Sequence, residues 1–425
     1  MQGSSVRRIA TAASWLGLLA AAACTRQAPE NAAPPAQGAA VVFEGARVIV
    51  GDESAPIDNA VFVVDGARFA AVGKAGEVTI PPGAKRVSLN GKTVMPAIVD
   101  THTHLNRERD ALVLDLQRRA YFGVSAALSL GQDNGDVVYA MQREQIPNAA
   151  LYRTAGRGIT APEPGRNDVP YWIKTADEGR AGVREQAALG VEIIKVWVDD
   201  RLGVYPKLGP ELYGAVIDEA HKNGLRAIAH VYTLEDAKGL VRAGIDAFAH
   251  GVRDQDIDDE YAALVKERPN LVLGPNLPDR GVATDLSWLK GVVPAATLDP
   301  LQAAATDRPD AQAFFGTQAR NLARLSAQGM RIVLGTDGNT PWGPHLEMED
   351  MVATGMTPAQ VITAATRNSA AFLRLDSGTV AAGKSADFIV LDANPLDDIK
   401  NTRRIDAVYL RGAAVDRDAI RTAWQ

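Results

Sequence analysis

The sequence predicts an α/β fold: a (β/α)8 barrel of the TIM type, with a small β-sandwich domain formed from the N- and C-terminal segments. Strand-like and helix-like runs alternate through the middle of the chain, which is typical of parallel β/α units. Eight candidate strands can be counted in this region, and eight is the number that closes a barrel. Short β segments flank the alternation on both sides, so we expect the two flanking sets to pair with each other.

The N-terminal segment has the pattern of an export signal. Arg7 and Arg8 precede an apolar stretch that ends in three alanines and Cys24, the only cysteine of the chain. This pattern is similar to a bacterial lipoprotein signal, which would be removed as residues 1–23 and leave a lipidated Cys24. A plain secretory signal, cleaved after a nearby alanine, is the alternative. We expect an exported protein on the periplasmic side of a bacterial membrane, touching that membrane only through the lipid on Cys24.

Residues 24–40 are small, proline-containing and aperiodic, as expected of a flexible tether. The predicted sandwich then combines residues 41–93 with residues 376–425. In the first of these segments Asp65 and Asn90 are each followed by glycine and flanked by apolar runs, which favours two-residue hairpin turns. The C-terminal runs SADFIVLD and DAVYLRGAAVD have the same short apolar pattern.

Residues 94–375 are predicted to form the barrel. Its helices carry recognisable start signals: in TPAQVITAATRNSAAFL, Thr357 is placed as the N-cap and Gln360 completes a capping box. The candidate strands are 94–101, 124–130, 149–155, 191–198, 226–231, 246–250, 270–275 and 331–336.

Charge and cysteine content exclude several functions. The formal net charge is −6, and no stripe of basic residues interleaves with aromatic ones, so nucleic-acid binding is not expected. A single cysteine allows no intrachain disulfide, and stability must therefore come from the hydrophobic core.

Six side chains at the ends of short apolar runs indicate a metal site: His102, His104, Lys195, His230, His250 and Asp337. Alternate side chains of a strand share a face, so His102 and His104 can reach one point in the barrel mouth. His230 and His250 are about one strand–helix repeat apart, which places them on successive strands. Imidazoles and carboxylates at strand ends are the groups that a hydrolytic metal site needs.

Lys195 lies inside the apolar run EIIKVW, where burial would remove most of its solvation. Its neutral amine could react with carbon dioxide to give a carbamate, N6-carboxylysine, whose two oxygens can bridge two cations. The alternative is an ammonium group paired with Asp199 or Glu192. The histidines and Asp337 favour the carbamate.

These motifs together resemble the amidohydrolase superfamily, within the group similar to imidazolonepropionases and metal-dependent prolidases. The resemblance covers about residues 41–423 and includes MPAIVDTHTH, the strand lysine, the two later histidines, GTD and GKSADFIVLDANPL. It implies a (β/α)8 barrel with a small β-sandwich and two divalent cations. Zinc is the default for a histidine-rich site, with manganese or cobalt as alternatives. Carried over residue by residue, the first cation is bound by His102, His104 and Asp337, the second by His230 and His250, and both are bridged by Lys195.

The loops that are expected to surround the substrate differ from those of the family. Many relatives have a Gly/His-rich loop where this chain has GITAPEPGRNDVPYW, and a small Gly-rich loop where it has VDDRLGVYPK. Tyr232 lies two residues after His230 and is expected to face the same mouth. The resemblance implies a role there, since a tyrosine at this place in the prolidase-like relatives contacts a substrate carboxylate or the oxyanion; simple packing is the alternative. Arg157 and Trp172, on the altered loop, are further candidates for substrate binding. His345 either lines the pocket or caps the next helix.

The expected reaction is hydrolysis of an amide bond in a dipeptide, an N-acyl amino acid or a similar small amide. The resemblance implies that a hydroxide held between the cations attacks the carbonyl, while Asp337 orients it and transfers its proton. A cyclic-amide, lactone or carbamate hydrolase is the alternative among enzymes, and a binding protein on a degenerate barrel is the alternative from another class. Self-association into a homo-oligomer is common among relatives and is expected here only on that ground.

Overall fold

The computed structural model describes residues 40–425, so the predicted signal, Cys24 and nearly all of the tether lie outside the described residues. Within the described part the strands are β1 Val41–Val48, β2 Ile57–Asp65, β3 Arg68–Lys74, β4 Lys85–Ser88, β5 Thr93–Pro96, β6 Ile98–Thr103, β7 Val124–Ser129, β8 Leu151–Thr154, β9 Ile159–Thr160, β10 Tyr171–Trp172, β11 Ile193–Val198, β12 Arg226–Val231, β13 Ala247–Phe248, β14 Val272–Leu273, β15 Arg331–Ile332, β16 Phe388–Leu391, β17 Ile405–Leu410 and β18 Ala413–Ala414. The α-helices are α1 Arg109–Tyr121, α2 Asp136–Met141, α3 Ala176–Ala188, α4 Pro210–Lys222, α5 Leu234–Arg242, α6 Asp259–Lys266, α7 Ala295–Ala304, α8 Pro309–Ala327, α9 Gly343–Ala353, α10 Pro358–Thr363, α11 Ser369–Phe372 and α12 Arg417–Trp424. Among the residues that the structure describes, none of these helices is both long enough and apolar enough to cross a membrane.

One sheet is built from both ends of the chain, as the sequence predicts. Its strands lie in the order β18-β17-β16-β5-β1-β2-β3, with β4 pairing beside β1. Aromatic side chains fill its core: the rings of Phe43 and Phe62 stack at 4.8 Å, and Phe388 meets Phe62 edge-on at 5.3 Å. Such rings bury large apolar areas and prefer these two geometries. The small domain therefore has a core of its own.

The first candidate strand of the barrel is two strands in the structure. β5 pairs antiparallel with β16 of the terminal sheet, through Met95 and Ile389, whereas β6 pairs parallel with β7. Ala97 alone separates them and is buried. A continuous apolar run cannot distinguish one strand from two that pass directly between sheets, which is why the sequence pattern merged them.

The other parallel strands form the barrel. β11, β12, β13, β14 and β15 are neighbours in one sheet, and β6, β7 and β8 in another. Backbone contacts join the ends of this arc: the N–H of Thr101 donates to the carbonyl of Leu334 at 2.9 Å, and Thr103 bridges to Gly338. The predicted (β/α)8 barrel is confirmed.

Strand periodicity explains which side chains point into the barrel. Ile193 and Ile228 belong to a buried apolar cluster that also contains Val99 and Val333. Two residues further along their strands are Lys195 and His230, which share the same face because alternate residues of a strand do. The aliphatic layer thus forms the floor beneath these two polar groups.

The predicted capping box at Thr357 is present. The Thr357 hydroxyl accepts from the backbone N–H of Gln360 at 3.3 Å, and the Gln360 side chain accepts from the N–H of Thr357 at 2.9 Å. The predicted continuous helix is instead interrupted by a π-helical turn at Ala364–Asn368. The hydroxyl of Ser369 donates to the carbonyl of Ala364 at 2.8 Å, which satisfies a carbonyl at this wider turn.

Candidate metal centre

Asp337 lies at the centre of three of the predicted histidines. Its Oδ1 is 3.1 Å from Nε2 of His102 and 3.0 Å from Nε2 of His104, and its Oδ2 is 3.4 Å from Nε2 of His250. The ring of His230 lies 4.6 Å from that of His250, centroid to centroid. All four histidines and Asp337 are therefore brought to the C-terminal mouth of the barrel.

The donor set fits a cation. Ligand atoms of His102, His250 and Asp337 lie within 4.8 Å of one another. Nε2 of His102 and Nζ of Lys195 are buried and make no hydrogen bond to the described residues, although the first is close to Asp337. A buried polar atom without a partner is costly, and a bound cation would satisfy nitrogen donors of this kind.

Burial favours the neutral forms of the nitrogen donors. It lowers the pKa of His102 and His250 well below the usual range, and it lowers the pKa of His230 to about 4, with Lys195 and two arginines acting in the same direction. Burial also lowers the pKa of Lys195 to about 7. Neutral imidazole is the form that binds metals, and only a neutral amine reacts with carbon dioxide.

Of the candidate ligands, Asp337 reaches furthest towards solvent. Its side chain is 38% exposed, against 2% for His102 and 1% for His250. Burial alone would raise its pKa, but His102, His104 and Lys195 together hold that pKa below its usual range. The group is therefore an ionised carboxylate with one side open to the mouth.

The backbone around Asp337 is held in an unusual conformation. Asp337 has a φ of +52°, which is rare for a residue with a side chain. Its N–H donates to the carbonyl of His102 at 2.8 Å, which ties together the two segments that carry these candidate ligands. Gly335 allows this approach, since a Cβ there would lie 2.8 Å from the Cβ of His102.

A buried ion pair supports the same loop. Asp100 and Arg119 are both fully buried and lie 3.1 Å apart. Asp100 also accepts from the hydroxyl of Thr336 at 2.8 Å, and Arg119 donates to the carbonyl of Gly338 at 3.0 Å. The residues on either side of Asp337 are thus fixed by a single pair of opposite charges.

Asp199 orients His230, a role that the sequence pattern does not predict. Its Oδ2 lies 2.8 Å from Nε2 of His230 and 2.6 Å from the guanidinium of Arg201. Because Nε2–H donates to Asp199, Nδ1 of His230 is free to bind a cation. Asp199 is thereby engaged, and within the described residues Lys195 forms no ion pair with it or with the exposed Glu192, so the structure gives no support to the alternative of a salt-bridged Lys195.

Three of the predicted substrate-binding residues contact neighbouring parts of the protein. Tyr232 follows β12 directly, is half-buried, and its carbonyl accepts from the N–H of Arg253 at 2.9 Å. Arg157 instead holds its own loop: its Nε donates to the carbonyl of Val169 at 2.6 Å, and its guanidinium lies 3.9 Å from the ring centroid of Tyr171. Trp172 is 37% exposed, and its indole donates to the carbonyl of Asn167 at 3.1 Å.

His345 is a core residue in the structure and not a pocket wall. It is completely buried, and its two ring nitrogens lie 3.0 Å from the hydroxyl of Thr402 and 3.0 Å from the carbonyl of Phe122. Phe122 lies just before β7, at the end of the barrel opposite to the mouth. The prediction that His345 contacts substrate therefore disagrees with its position. The sequence does not show this position, because the path of the loop that leads to His345 cannot be predicted from its residues.

A cavity of about 320 Å³ lies between the segment that follows β14 and helix α9. Its walls are partly apolar, with Leu286, Leu301 and Trp342, and partly charged, with Arg280 and Asp350. Burial raises the pKa of Asp350 to about 7. The cavity also reaches Thr340, on the loop that carries Asp337.

The profile of the amidohydrolase family matches residues 93–415. The chain belongs to the amidohydrolase family. The protein is therefore a metal-dependent hydrolase that acts on carbon–nitrogen bonds, and the cluster of His102, His250 and Asp337 lies where that family's chemistry requires a metal site.

Comparisons with individual proteins agree with this assignment. An uncharacterised protein of Mycobacterium tuberculosis is 27% identical over 358 residues, 79% of this chain and 89% of the relative. The imidazolonepropionase of Deinococcus radiodurans is 25% identical over 391 residues, 84% and 92% of the two chains. The ochratoxinase of Aspergillus niger is 26% identical over 305 residues, 66% and 56% of the two chains.

Solved structures show the same fold. A Xaa-Pro dipeptidase with bound methionine in its active site superposes with a TM-score of 0.70 at 21% identity, over 88% of this chain and 99% of the other. Phenylurea hydrolase B superposes with a TM-score of 0.72 at 22% identity, over 90% and 98%. At these identities the likeness establishes the architecture and leaves the substrate open.

Proposed function

We propose that this amidohydrolase cleaves the amide bond of a dipeptide, an N-acyl amino acid or a similar small amide, with two zinc ions held at the barrel mouth. The observation that carries the proposal is the convergence of His102, His104 and His250 on Asp337, beside the buried amine of Lys195. The imidazolonepropionase, ochratoxinase and dipeptidase relatives are consistent with an amide substrate.

The ligand roles proposed here are those that the resemblance implies. His102, His104 and Asp337 would hold one cation, and His230 and His250 the other. Bound divalent cations polarise a carbonyl and lower the pKa of water. Asp337 would accept the proton of the attacking water and pass it to the leaving nitrogen, because it is the ligand whose carboxylate is open to the mouth.

Lys195 would join the two halves of the site as N6-carboxylysine. Its amine is fully buried, makes no hydrogen bond to the described residues, and has a pKa lowered to about 7, so a substantial fraction is neutral at neutral pH. The neutral nitrogen attacks carbon dioxide, a nitrogen–carbon bond forms, and one proton is released. The resulting carbamate replaces a buried cation by an anion that can bind cations on both sides.

Zinc-reconstituted protein, assayed against pooled dipeptides and N-acyl amino acids for release of free amino acid, tests the proposal. Asp337→Asn is expected to keep most of the bound metal and to lose about 10²- to 10⁴-fold in turnover. Unchanged turnover would remove Asp337 from its role. Absence of release despite about two metal ions per chain would reject the amide substrates and leave lactones, carbamates or ring amides.

Export and lipid anchoring are also part of the proposal. They rest on the sequence pattern before Cys24, with Arg7 and Arg8 ahead of the apolar stretch. Labelling with radioactive palmitate in a bacterial host is expected to mark the wild-type chain and not Cys24→Ser. Labelling of neither chain, with the protein released in soluble form into the periplasm, would favour the plain secretory signal.

A further inference from the structure

The cavity between the segment after β14 and helix α9 is built by chain segments that also carry the candidate metal centre. Thr340, on one wall, is three residues after Asp337, and three residues span at most about 11 Å. Asp279, on the other wall, is three residues after Asn276, whose side-chain nitrogen lies 2.8 Å from Nδ1 of His102. The two segments that leave the metal centre therefore continue directly into the walls of the cavity.

Apolar side chains line much of this cavity, among them Leu286, Leu301, Trp342 and Leu346. Leu286 and Trp342 are buried, whereas Leu301 is 43% exposed. Apolar surface that faces water is unfavourable, and a second apolar group that covers it is bound favourably. The lining therefore suits an apolar occupant.

Each charged side chain around the cavity lies beside one of opposite sign. The pairs are Asp279 with Arg308, Arg280 with Asp350 at 3.3 Å, and Glu349 with Arg403. An ionised group that entered the cavity would lose its water and meet charges that are already paired, which is costly. The cavity thus favours an uncharged occupant over an ionised one.

Packing fixes the shape of the cavity before any ligand arrives. The Trp342 ring lies 6.1 Å from that of Phe122 and 6.2 Å from that of Trp424, centroid to centroid. The buried Glu347 of α9 accepts from the backbone N–H of Leu277 at 3.0 Å, which ties one wall to the other. A pocket that is already formed is typical of sites for small molecules.

The size of the cavity matches one side group rather than a whole substrate. Its volume of about 320 Å³ is at the lower end of the roughly 300–1,000 Å³ found for small-molecule pockets. A side chain can occupy it while the rest of the molecule stays outside, near Asp337.

We propose that this cavity is a specificity pocket that takes a large apolar side chain of the substrate while the amide bond lies at the metal centre. The enzyme then prefers amides that carry an aromatic or branched aliphatic side chain over those built on glycine. The inference rests on the proposed function, since it supposes that an amide bond is cleaved at the adjacent centre.

The first test compares matched substrates. Zinc-loaded wild type is assayed on glycylglycine and N-acetylglycine, and on the same compounds with a glycine replaced by phenylalanine or leucine at either position, with release of free amino acid as the readout. Full burial of such a side chain predicts a preference of about 10- to 150-fold in kcat/KM for at least one of the larger compounds. Equal kcat/KM for the glycine compounds and all of the larger ones would overturn the proposal.

Variants of the cavity wall show whether this cavity is the origin of the preference. Ala305→Trp fills the cavity and should remove most of the preference for the larger compounds. Ala303→Trp adds the same side chain at an exposed position of α7 outside the lining and should keep the wild-type preference. Leu301→Gln changes a half-exposed wall residue without disturbing the core, and should reduce the preference about fourfold, the value of one buried CH₂ group. A preference unchanged in both Ala305→Trp and Leu301→Gln would contradict the pocket, and Leu301→Gln decides alone if Ala305→Trp does not fold.

The second test does not depend on turnover. Fluorine NMR of 5-fluoroindole, a ring-sized apolar probe, is recorded with each protein. Its line should broaden with wild type and Ala303→Trp, and much less with Ala305→Trp. Broadening that persists undiminished in Ala305→Trp, or no broadening with wild type, would contradict the pocket.

The two tests separate the two ideas. Cleavage of small and large amides at equal rates leaves the proposed function standing and rejects the pocket. Binding of 5-fluoroindole that Ala305→Trp removes, without cleavage of any amide, keeps the pocket and rejects the proposed function.

Discussion

Removal of Arg119 is expected to destabilise the barrel far more than a surface charge would. Arg119 and Asp100 are 0% exposed and lie 3.1 Å apart, so Arg119→Leu leaves a buried carboxylate without its cation. Breaking a buried pair in this way costs about 3–5 kcal/mol in the free energy of unfolding. The carbonyl of Gly338 also loses its donor, which adds about 1–3 kcal/mol if no water replaces the arginine.

Equilibrium unfolding in urea, followed by circular dichroism on the zinc-loaded protein, measures this loss. The double variant Arg119→Leu, Asp100→Leu removes both charges and should recover at least half of it, since burying no charge is less costly than burying one. Arg242→Gln, an exposed arginine, should stay within about 0.5 kcal/mol of wild type. A loss below about 1 kcal/mol for Arg119→Leu, or a double variant no more stable than the single one, would refute the reasoning.

Two further predictions follow from side chains around the site and in the core. Asp199→Asn should weaken zinc binding about 10- to 100-fold, because His230 loses the carboxylate that fixes its tautomer; competition with a chromophoric chelator measures it, and unchanged affinity would argue against the orienting role. Burial lowers the pKa of His345 to about 4, so below the unfolded value of about 6.5 the unfolded chain binds a proton that the folded chain does not. The free energy of unfolding should therefore fall as pH decreases from about 6.5 to about 4, and His345→Gln should reduce that slope by up to about 1.4 kcal/mol per pH unit; an identical slope in both proteins would contradict this reading.

The barrel, and the convergence of histidines and Asp337 at its mouth, could be predicted because they depend on local pattern. Each strand is a short apolar run, and His102, Lys195 and His230 interrupt or end such runs. A polar side chain is unfavourable there unless it has a partner. Strand period then fixes the face on which each side chain lies. The domain boundaries, the lipid anchor and self-association remain predictions.

The residues that complete the site could not be predicted, because loops bring them there. Asp199 reaches His230 only through the paired register of β11 and β12, and Arg253 reaches His250 through the turn after β13. Neither the strand period nor the helix period of the sequence marks such positions. His345 shows the converse error: it looked available in the sequence, but it is completely buried and both of its ring nitrogens contact protein groups.

The pairing of β5 with β16 has a consequence during synthesis of the chain. Met95 pairs with Ile389, which lies 294 positions further along the chain. At about 5–20 residues per second a ribosome needs roughly 15–60 s to make that length. Throughout this interval β5 presents an unpaired strand edge next to the first barrel strand, the kind of edge that other chains can join. A chain that stops before β16 would keep that edge permanently, and we expect such a product to aggregate even though every predicted metal ligand is present.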